Sequence, residues 1–296
     1  MKTGIVVVLY EPDCEHIKAL TAMFCGSEWQ LVLVDNSDTA LDKCAIGTAS
    51  YLFSQSNVGI AEAQNIGLRW LFSRGIEHAF LLDQDSQFTP DVAHTLLNQF
   101  QLLSQKEPIA AIGPSIFCQF TQRIHQGVVQ RGQYHSQDVK RVRQIIASGM
   151  LLSRQSFELV GEKESALFID GVDHEWCWRA RKKGLHVYQS LTACMPHRQG
   201  DGRVRVCGLT FKQGSPIRLF YQFRNLLVLS RRRYVPLYWK CRHLFAIPLR
   251  YIVNRYHFND GKLRGQYMRA GLKAGLTKKL GAHENVKHEK ISDSQM

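Results

Sequence analysis

The sequence predicts an α/β fold: a mostly parallel sheet flanked by helices, with a basic helical C-terminal extension. Three observations lead there. Short β-branched runs alternate with helical segments from residue 3 to residue 113, as strands joined by crossover helices do. Several of these runs end in clusters containing Asp or Asn, at the place where open α/β sheets bind ligands. The charge is also lopsided: residues 1–195 hold 17 Lys+Arg against 20 Asp+Glu, whereas residues 196–296 hold 21 against 5.

Thr3–Leu9 is continuously apolar and reads as a strand buried on both faces. A helix follows over about 13–24. Gln30–Val34 forms a second strand that runs into Asp35-Asn36-Ser37, and Tyr51–Ser54 a third that ends near Asn57-Val58-Gly59. Ile60–Arg74 has helical periodicity, with Gly75 as its stop. Ala79–Leu82 is a fourth strand leading to Asp83-Gln84-Asp85-Ser86. Thr89-Pro90-Asp91 opens a helix to about Gln105, with Pro at the first helical position and an acid in the first turn. Ile109–Gly113 is a fifth strand.

Residues 116–147 suggest mixed short strands, and Ser148-Gly149 interrupts the apolar run before Met150–Leu152. Ser156–Val160 reads as a short helix. Asp173–Lys183 reads as a helix with acids first, bases last and Gly184 as its end, as the helix dipole favours. Leu185–Gln189 is a late strand and Pro216–Arg231 a helix, followed by one or two amphipathic helices over 235–273. The expected organisation is a catalytic domain over 1–213, a basic helical extension over 214–275 and a polar tail over 276–296.

A 296-residue chain that is 45% hydrophobic and 21% charged suits one large domain, or one domain with an appendage. The eight cysteines are scattered and form no C-x-x-C pair, which favours reduced thiols over a zinc framework. The apolar run Ile5–Tyr10 is too short for a secretory signal, and no stretch of about 18 uncharged apolar residues is available to span a membrane. A cytoplasmic location is expected.

The strand ends carry the chemistry. Two carboxylates at i and i+2, Asp83 and Asp85, can hold one divalent cation, and Mg²⁺ or Mn²⁺ prefers such oxygen ligands. Such an ion would neutralise charge on a departing diphosphate. Asp35-Asn36 can bond base or ribose groups, although both residue types also favour turns. In Asn57-Val58-Gly59, the glycine permits close backbone approach and the following helix N-terminus favours anions, while Asn57 is also an ordinary cap. Asp170, Asp173 and Glu175 are candidates for the base that takes a proton from a hydroxyl, and spacing alone leaves open which one does. His197 can complete a metal shell, or be structural. Arg218, Arg224 and Asn225 share a helical stretch, and guanidinium forks suit phosphate oxygens.

Together these stretches resemble family 2 glycosyltransferases, in the bacterial rhamnosyltransferase-like branch. The matching segments are VVVLYEPD (6–13), LVLVDNSD (31–38), NVGIAEAQNIGL (57–68), FLLDQDSQFTPD (80–91), ASGMLLS (147–153), LFIDGVDHEWCWRARKKG (167–184), MPHRQGD (195–201) and SPIRLFYQFRNLLVL (215–229). The resemblance implies a GT-A, Rossmann-like fold, inversion at the sugar carbon and a divalent cation, Mg²⁺ or Mn²⁺. It implies nucleotide-sugar contacts from Tyr10, Asp35, Asn36, Asn57, Gly59, Asn65, Asp83 and Gln84. The metal would lie on Asp83, Asp85 and His197. Catalysis would fall to Asp173 with Glu175 and Asp170, and acceptor or diphosphate contacts to Arg179, Arg218, Arg224 and Asn225. Val172-Asp173 stands where many relatives have Glu-Asp, which keeps the choice among the three acids open.

The resemblance suggests dTDP-L-rhamnose as donor and a growing cell-surface glycan such as an O-antigen as acceptor, carried on a polyprenyl diphosphate. A UDP- or GDP-sugar donor is the alternative. Basic residues mixed with Trp239, Phe245, Leu249 and Ile252 suggest attachment to an anionic membrane surface, here the cytoplasmic face of the inner membrane. The rival classes fit less well. A nucleic-acid binder would show an RNA-binding motif or a stacking platform, and none is visible. A nucleotidyltransferase would carry a Gly-rich phosphate loop where Tyr10-Glu11-Pro12-Asp13 stands. A glycoside hydrolase uses paired carboxylates but would leave the nucleotide pattern unexplained.

Overall fold

The computed structural model of the chain describes residues 2–26, 28–42, 46–118, 123–124, 132–197, 202–206 and 209–283. Two compact units emerge, one formed by 1–163 with 173–199, the other by 164–172 with 200–296.

The first unit is an α/β sandwich. Its strands are β1 (Thr3–Leu9), β2 (Trp29–Asp35), β3 (Ser50–Phe53), β4 (His78–Asp83), β5 (Ile109–Cys118), the two-residue β6 (Arg123–Ile124) and β7 (Gln133–Tyr134), β8 (Val139–Val142), β9 (Met150–Ser153) and β10 (His186–His197). Its helices are α1 (Cys14–Met23), α2 (Ile60–Phe72), α3 (Pro90–Ser104), α4 (Arg154–Val160) and α5 (Val172–Lys182). The sheet order is β3-β2-β1-β4-β9-β5-β10-β8-β7, with β6 on β5. Strands β3, β2, β1 and β4 are mutually parallel, and β5 runs parallel to β10.

Strand β1 is central and buried throughout. Its alternation sends Ile5 and Val7 to one core, with Ile17 and Leu20 of α1 and Leu96 and Phe100 of α3. Val6 and Val8 face the other core, with Leu68 and Leu71 of α2 and Trp176 and Ala180 of α5. Period 2 in the strand therefore builds both layers at once. Gly67 lets α2 lie directly on this strand, since a Cβ there would stand 2.4 Å from Val6. Local signals set the helix starts. Asp13 accepts the Glu15 N–H at 3.0 Å, Thr89 caps α3 ahead of Pro90, and Ser153 and Ser156 form a capping box on α4.

One strand departs from the expected parallel pattern. β9 lies between β4 and β5 and is antiparallel to both. The strands after β5 continue as a mixed sheet, and β5 and β10 are both longer than their apolar runs suggest. Gly149 turns the chain into β9 with φ +79°, and a Cβ there would meet Pro114 at 2.7 Å.

The second unit holds a 3-10 turn at Ser165–Leu167, the antiparallel hairpin β11 (Gly202–Val206) and β12 (Leu209–Gln213), and helices α6 (Pro216–Ser230), α7 (Leu237–Phe245), α8 (Ile247–Tyr256) and α9 (Gly261–Thr277). Helices α6 and α9 pack around Phe168, Phe220, Tyr221, Tyr267 and Ala274, with Leu219, Phe223 and Met268 alongside. Three helices thus occupy the region where one or two were expected. The run breaks at Ala246, just before Pro248, and again before Asp260, which precedes α9. The unit takes up residues 200–213 and the short stretch 164–172, so the boundary differs from the expected 213/214 division. Residues 284–296 of the polar tail lie outside the described residues. Among the described residues no helix is long and apolar enough to cross a membrane.

Gly149→Ala should lower the thermal midpoint, because it adds a left-handed non-glycine residue and a steric clash. A loss of about 1–3 kcal/mol is expected for the backbone strain, and calorimetry of the two proteins would check it.

Candidate active site

The polar clusters expected at the strand ends come together in the first unit. Tyr10, just after β1, and Gln84, just after β4, clasp each other: the Tyr10 N–H donates to Gln84 Oε1 at 2.7 Å, and Gln84 Nε2 donates to the Tyr10 carbonyl at 3.1 Å. Parallel neighbours end side by side, so residues 74 apart in sequence pair through one amide side chain.

Asp35 is fully buried at the end of β2. One of its oxygens accepts the Ser37 N–H at 2.8 Å and the other the Tyr51 hydroxyl at 2.6 Å. Tyr51 in turn accepts the Leu41 N–H at 2.8 Å. Burial, reinforced by the bond to Asp35, pushes the Tyr51 hydroxyl up to about 12. This network shapes the loop that follows β2. Asn36 beside it is also buried. Its Nδ2 donates to the Gly59 carbonyl at 3.3 Å, while its Oδ1 has no hydrogen-bond partner among the described residues. Gly59 adopts φ 83° at the head of α2, where the Asn57 side chain accepts its N–H at 2.9 Å. A buried acceptor without a donor is costly unless something fills it. Asn65 points elsewhere. It pairs in both directions with the backbone of Lys163, at 2.8 and 2.9 Å, and ties α2 to that segment.

The acids of β4 and α5 are joined through three residues that composition alone gave no reason to single out. The Ser148 hydroxyl donates to Asp83 Oδ2 at 2.7 Å and lies 2.9 Å from the Ser86 hydroxyl. Next door, the Ala147 N–H donates to Asp173 Oδ2 at 3.0 Å. Asp83 and Asp173, 90 positions apart in sequence, are therefore held by adjacent residues of one turn, which Gly149 completes. The other oxygen of Asp173 makes no hydrogen bond among the described residues. Asp85 is exposed and likewise makes none. No cluster of three or more His, Cys, Asp or Glu side chains is placed to hold a metal among the described residues. A cation here would take Asp83 and Asp85 together with ligand and water oxygens, a donor set that suits a hard divalent ion. His197 ends β10, but its side chain lies outside the described residues.

The remaining expected acids are differently placed. Glu175 is fully buried and gives both oxygens to Arg179 of the same helix, at 2.9 and 3.0 Å. Arg179 also donates to the Val160 and Glu162 carbonyls at 2.9 and 2.7 Å, so the pair braces the end of α4 against α5. In the second unit Asp170 is bidentate to Arg218. For Arg224 and Asn225 the sequence suggests diphosphate or acceptor contacts. Both are buried, and they donate to the carbonyls of Leu167, Ile169 and Asp170 within 3.0 Å. They hold a stretch in which Phe168, Asp170 and Gly171 all have positive φ, at 66°, 65° and 87°, a strained geometry that persists only when its surroundings enforce it.

Sequence reasoning missed Ser148, Ser86 and Tyr51, which orient the acids. It also missed Lys163, a buried lysine whose Nζ meets Met150 Sδ at 3.8 Å and the Trp176 ring at 5.1 Å. Burial pulls the Lys163 ammonium well below the usual lysine range. The break in the apolar run at Ser148-Gly149 was the one signal in the sequence that pointed to this turn.

Tyr51→Phe tests the Asp35 network. With its pKa raised on folding, neutral Tyr51 contributes stability that is complete below pH 10 and is lost as pH rises toward about 12. The native protein should lose thermal stability over that window more steeply than Tyr51→Phe, as unfolding curves across alkaline pH would record.

Comparisons with known proteins place the chain among glycosyltransferases. The dTDP-rhamnosyl transferase RfbF of Shigella flexneri is 31% identical over 251 residues, covering 81% of this chain and 83% of its own. The low-salt glycan biosynthesis hexosyltransferase Agl10 of Haloferax volcanii is 22% identical over 242 residues, covering 77% of this chain and 75% of its own. No family model matches the chain. Among solved structures, GalNAc-T7 with UDP, GalNAc and Mn²⁺ superposes with a TM-score of 0.54 at 12% identity. That match covers 94% of this chain but 56% of the GalNAc-T7 chain, and it shows a shared GT-A fold. The chain belongs to the family 2 glycosyltransferases, in the rhamnosyltransferase-like branch that includes the Shigella protein.

Proposed function

We propose that the protein is an inverting transferase that moves L-rhamnose from dTDP-L-rhamnose to a hydroxyl of a growing cell-surface glycan. The observation that carries this reading is the link from Asp83 to Asp173 through Ser148 and Ala147. It sets a diphosphate-side acid and a base on one rigid turn. The donor follows from the likeness to a dTDP-rhamnosyl transferase.

In the proposed reaction Asp173 takes the proton of the acceptor hydroxyl through the oxygen that Ala147 leaves unbonded. The acceptor oxygen attacks the anomeric carbon as the bond to the diphosphate breaks, and the nucleoside diphosphate departs from the opposite face. Asp83 and Asp85 would hold a divalent cation, Mg²⁺ or Mn²⁺, which stabilises charge on the leaving diphosphate when bound. Asn36 and the N-terminus of α2 at Gly59, beside the loop that Asp35 organises, form the nucleoside and phosphate side, where Asn36 Oδ1 offers a buried acceptor to a ligand donor. Asp173 suits the base better than its neighbours, because Glu175 is committed to Arg179 and Asp170 to Arg218. Arg218, paired with Asp170, enters this reading as the expected diphosphate or acceptor contact. A polyprenyl-diphosphate-linked acceptor would bring the enzyme to a membrane, and peripheral attachment through the basic C-terminal helices is part of this reading.

Asp173→Asn should cut turnover by about 10²-fold or more, the usual scale of general-base catalysis, while leaving the affinity for dTDP-rhamnose near normal. Near-normal turnover would remove Asp173 from this role. Thermal midpoints with dTDP, UDP and GDP, with and without Mn²⁺, test the donor. A metal-dependent rise with dTDP that Asp85→Ala abolishes is the expected result, and a rise with UDP or GDP alone would replace the donor.

A further inference from the structure

Helix α8 is apolar on two sides, and only one of them is packed. Ile247 and Tyr251 join the cluster of Leu219, Phe223 and Met268, and Arg250 lies over the Phe223 ring at 4.9 Å while donating to Gln222. Val253 and Asn254 are buried as well. On the other side Leu249, Ile252 and Tyr256 recur at helical spacing and stand 44%, 56% and 73% exposed. Helix α7 behaves alike: Trp239 is buried, whereas Leu237 and Phe245 are 73% and 84% exposed. Single exposed apolar residues are ordinary, but a row of five large ones over two consecutive helices is not.

The residues among this row identify its partner. From 237 to 256 there is no Asp or Glu, while Lys240, Arg242, Arg250 and Arg255 are interspersed and Lys262 follows in an exposed position. A second copy of the chain seated here by two-fold symmetry would bring these basic stretches face to face. The polar segment 284–296, with only Val286, Ile291 and Met296 as large apolar residues, has too little apolar surface to cover the row. A surface both apolar and anionic satisfies the whole face, and a lipid bilayer with acidic headgroups is such a surface.

We infer that α7 and α8 form a membrane-docking face. Phe245, Leu249, Ile252 and Tyr256 enter the headgroup–acyl boundary, and Arg242 and Arg255 meet acidic headgroups beside them. This rests on the peripheral-membrane part of the reading above and not on the identity of the donor.

The test is flotation of the full chain with phosphatidylcholine vesicles, with and without phosphatidylglycerol. Binding should require phosphatidylglycerol and weaken in high salt. The double variant Phe245→Ser/Ile252→Ser changes only exposed side chains, and it should reduce partitioning by about tenfold or more while keeping the wild-type thermal midpoint and the same dTDP response. Arg242→Glu should weaken binding to anionic vesicles by several-fold. Absence of binding to phosphatidylglycerol vesicles, or binding unchanged in the double variant, overturns the proposal. So does a solution dimer of the wild type that the double variant abolishes, since that would make a second copy the occupant. A normal dTDP response alongside failed flotation would overturn the docking face and the membrane attachment while leaving the donor standing, and the reverse result would overturn the donor alone.

Discussion

The site depends on one buried turn. Ala147-Ser148-Gly149 leads into β9, the strand that runs against its neighbours, and from there reaches both acids. The Ser148 hydroxyl is bound to Asp83 and the Ala147 amide to Asp173. A backbone N–H has no rotamer to lose, and a serine 1% exposed has little freedom left, so the spacing between the two carboxylates is set by main-chain geometry. Without the antiparallel strand there would be no turn at this end of the sheet, and the two acids would each be held only by their own element.

Around that turn the protein divides its carboxylates by environment. Asp35 and Glu175 are both fully buried with both oxygens bonded, one organising a loop through Ser37 and Tyr51, the other bracing two helices through Arg179. Asp85 and one oxygen of Asp173 carry no hydrogen bond among the described residues. The same side-chain chemistry is thus tied into the scaffold where both oxygens are bonded, and keeps an unbonded oxygen where they are not.

Much of this was legible in the sequence, for identifiable reasons. Strand β1 is apolar at every position because both faces are covered, and α2 and α3 carry strong periodicity with clear starts and stops. The acids at the ends of β2 and β4 follow directly from those assignments. The direction of β9 was not legible, since four apolar residues read alike in a parallel or an antiparallel neighbour. Nor were the roles of Arg224 and Asn225. Their spacing on a helix is that of a phosphate-binding face, but whether the face meets solvent or a backbone loop is decided by what folds over it. Lys163 carried no signal at all, because a lysine between two glutamates looks like surface.

The stretch 164–172 sits in the chain between two parts of the first unit yet packs with the C-terminal helices. Its strained residues are held by Arg224 and Asn225 of α6, and the residue that follows it is Asp173. Chain order and structural allegiance are therefore interleaved, and the C-terminal part cannot be exchanged as a cassette. A hybrid that joined the first unit to another protein's helices at a single crossover would inherit the loop without its clamp. Variation in the C-terminal helices among relatives should then travel with variation in the segment before Asp173, the two evolving as one piece although they lie far apart in the chain.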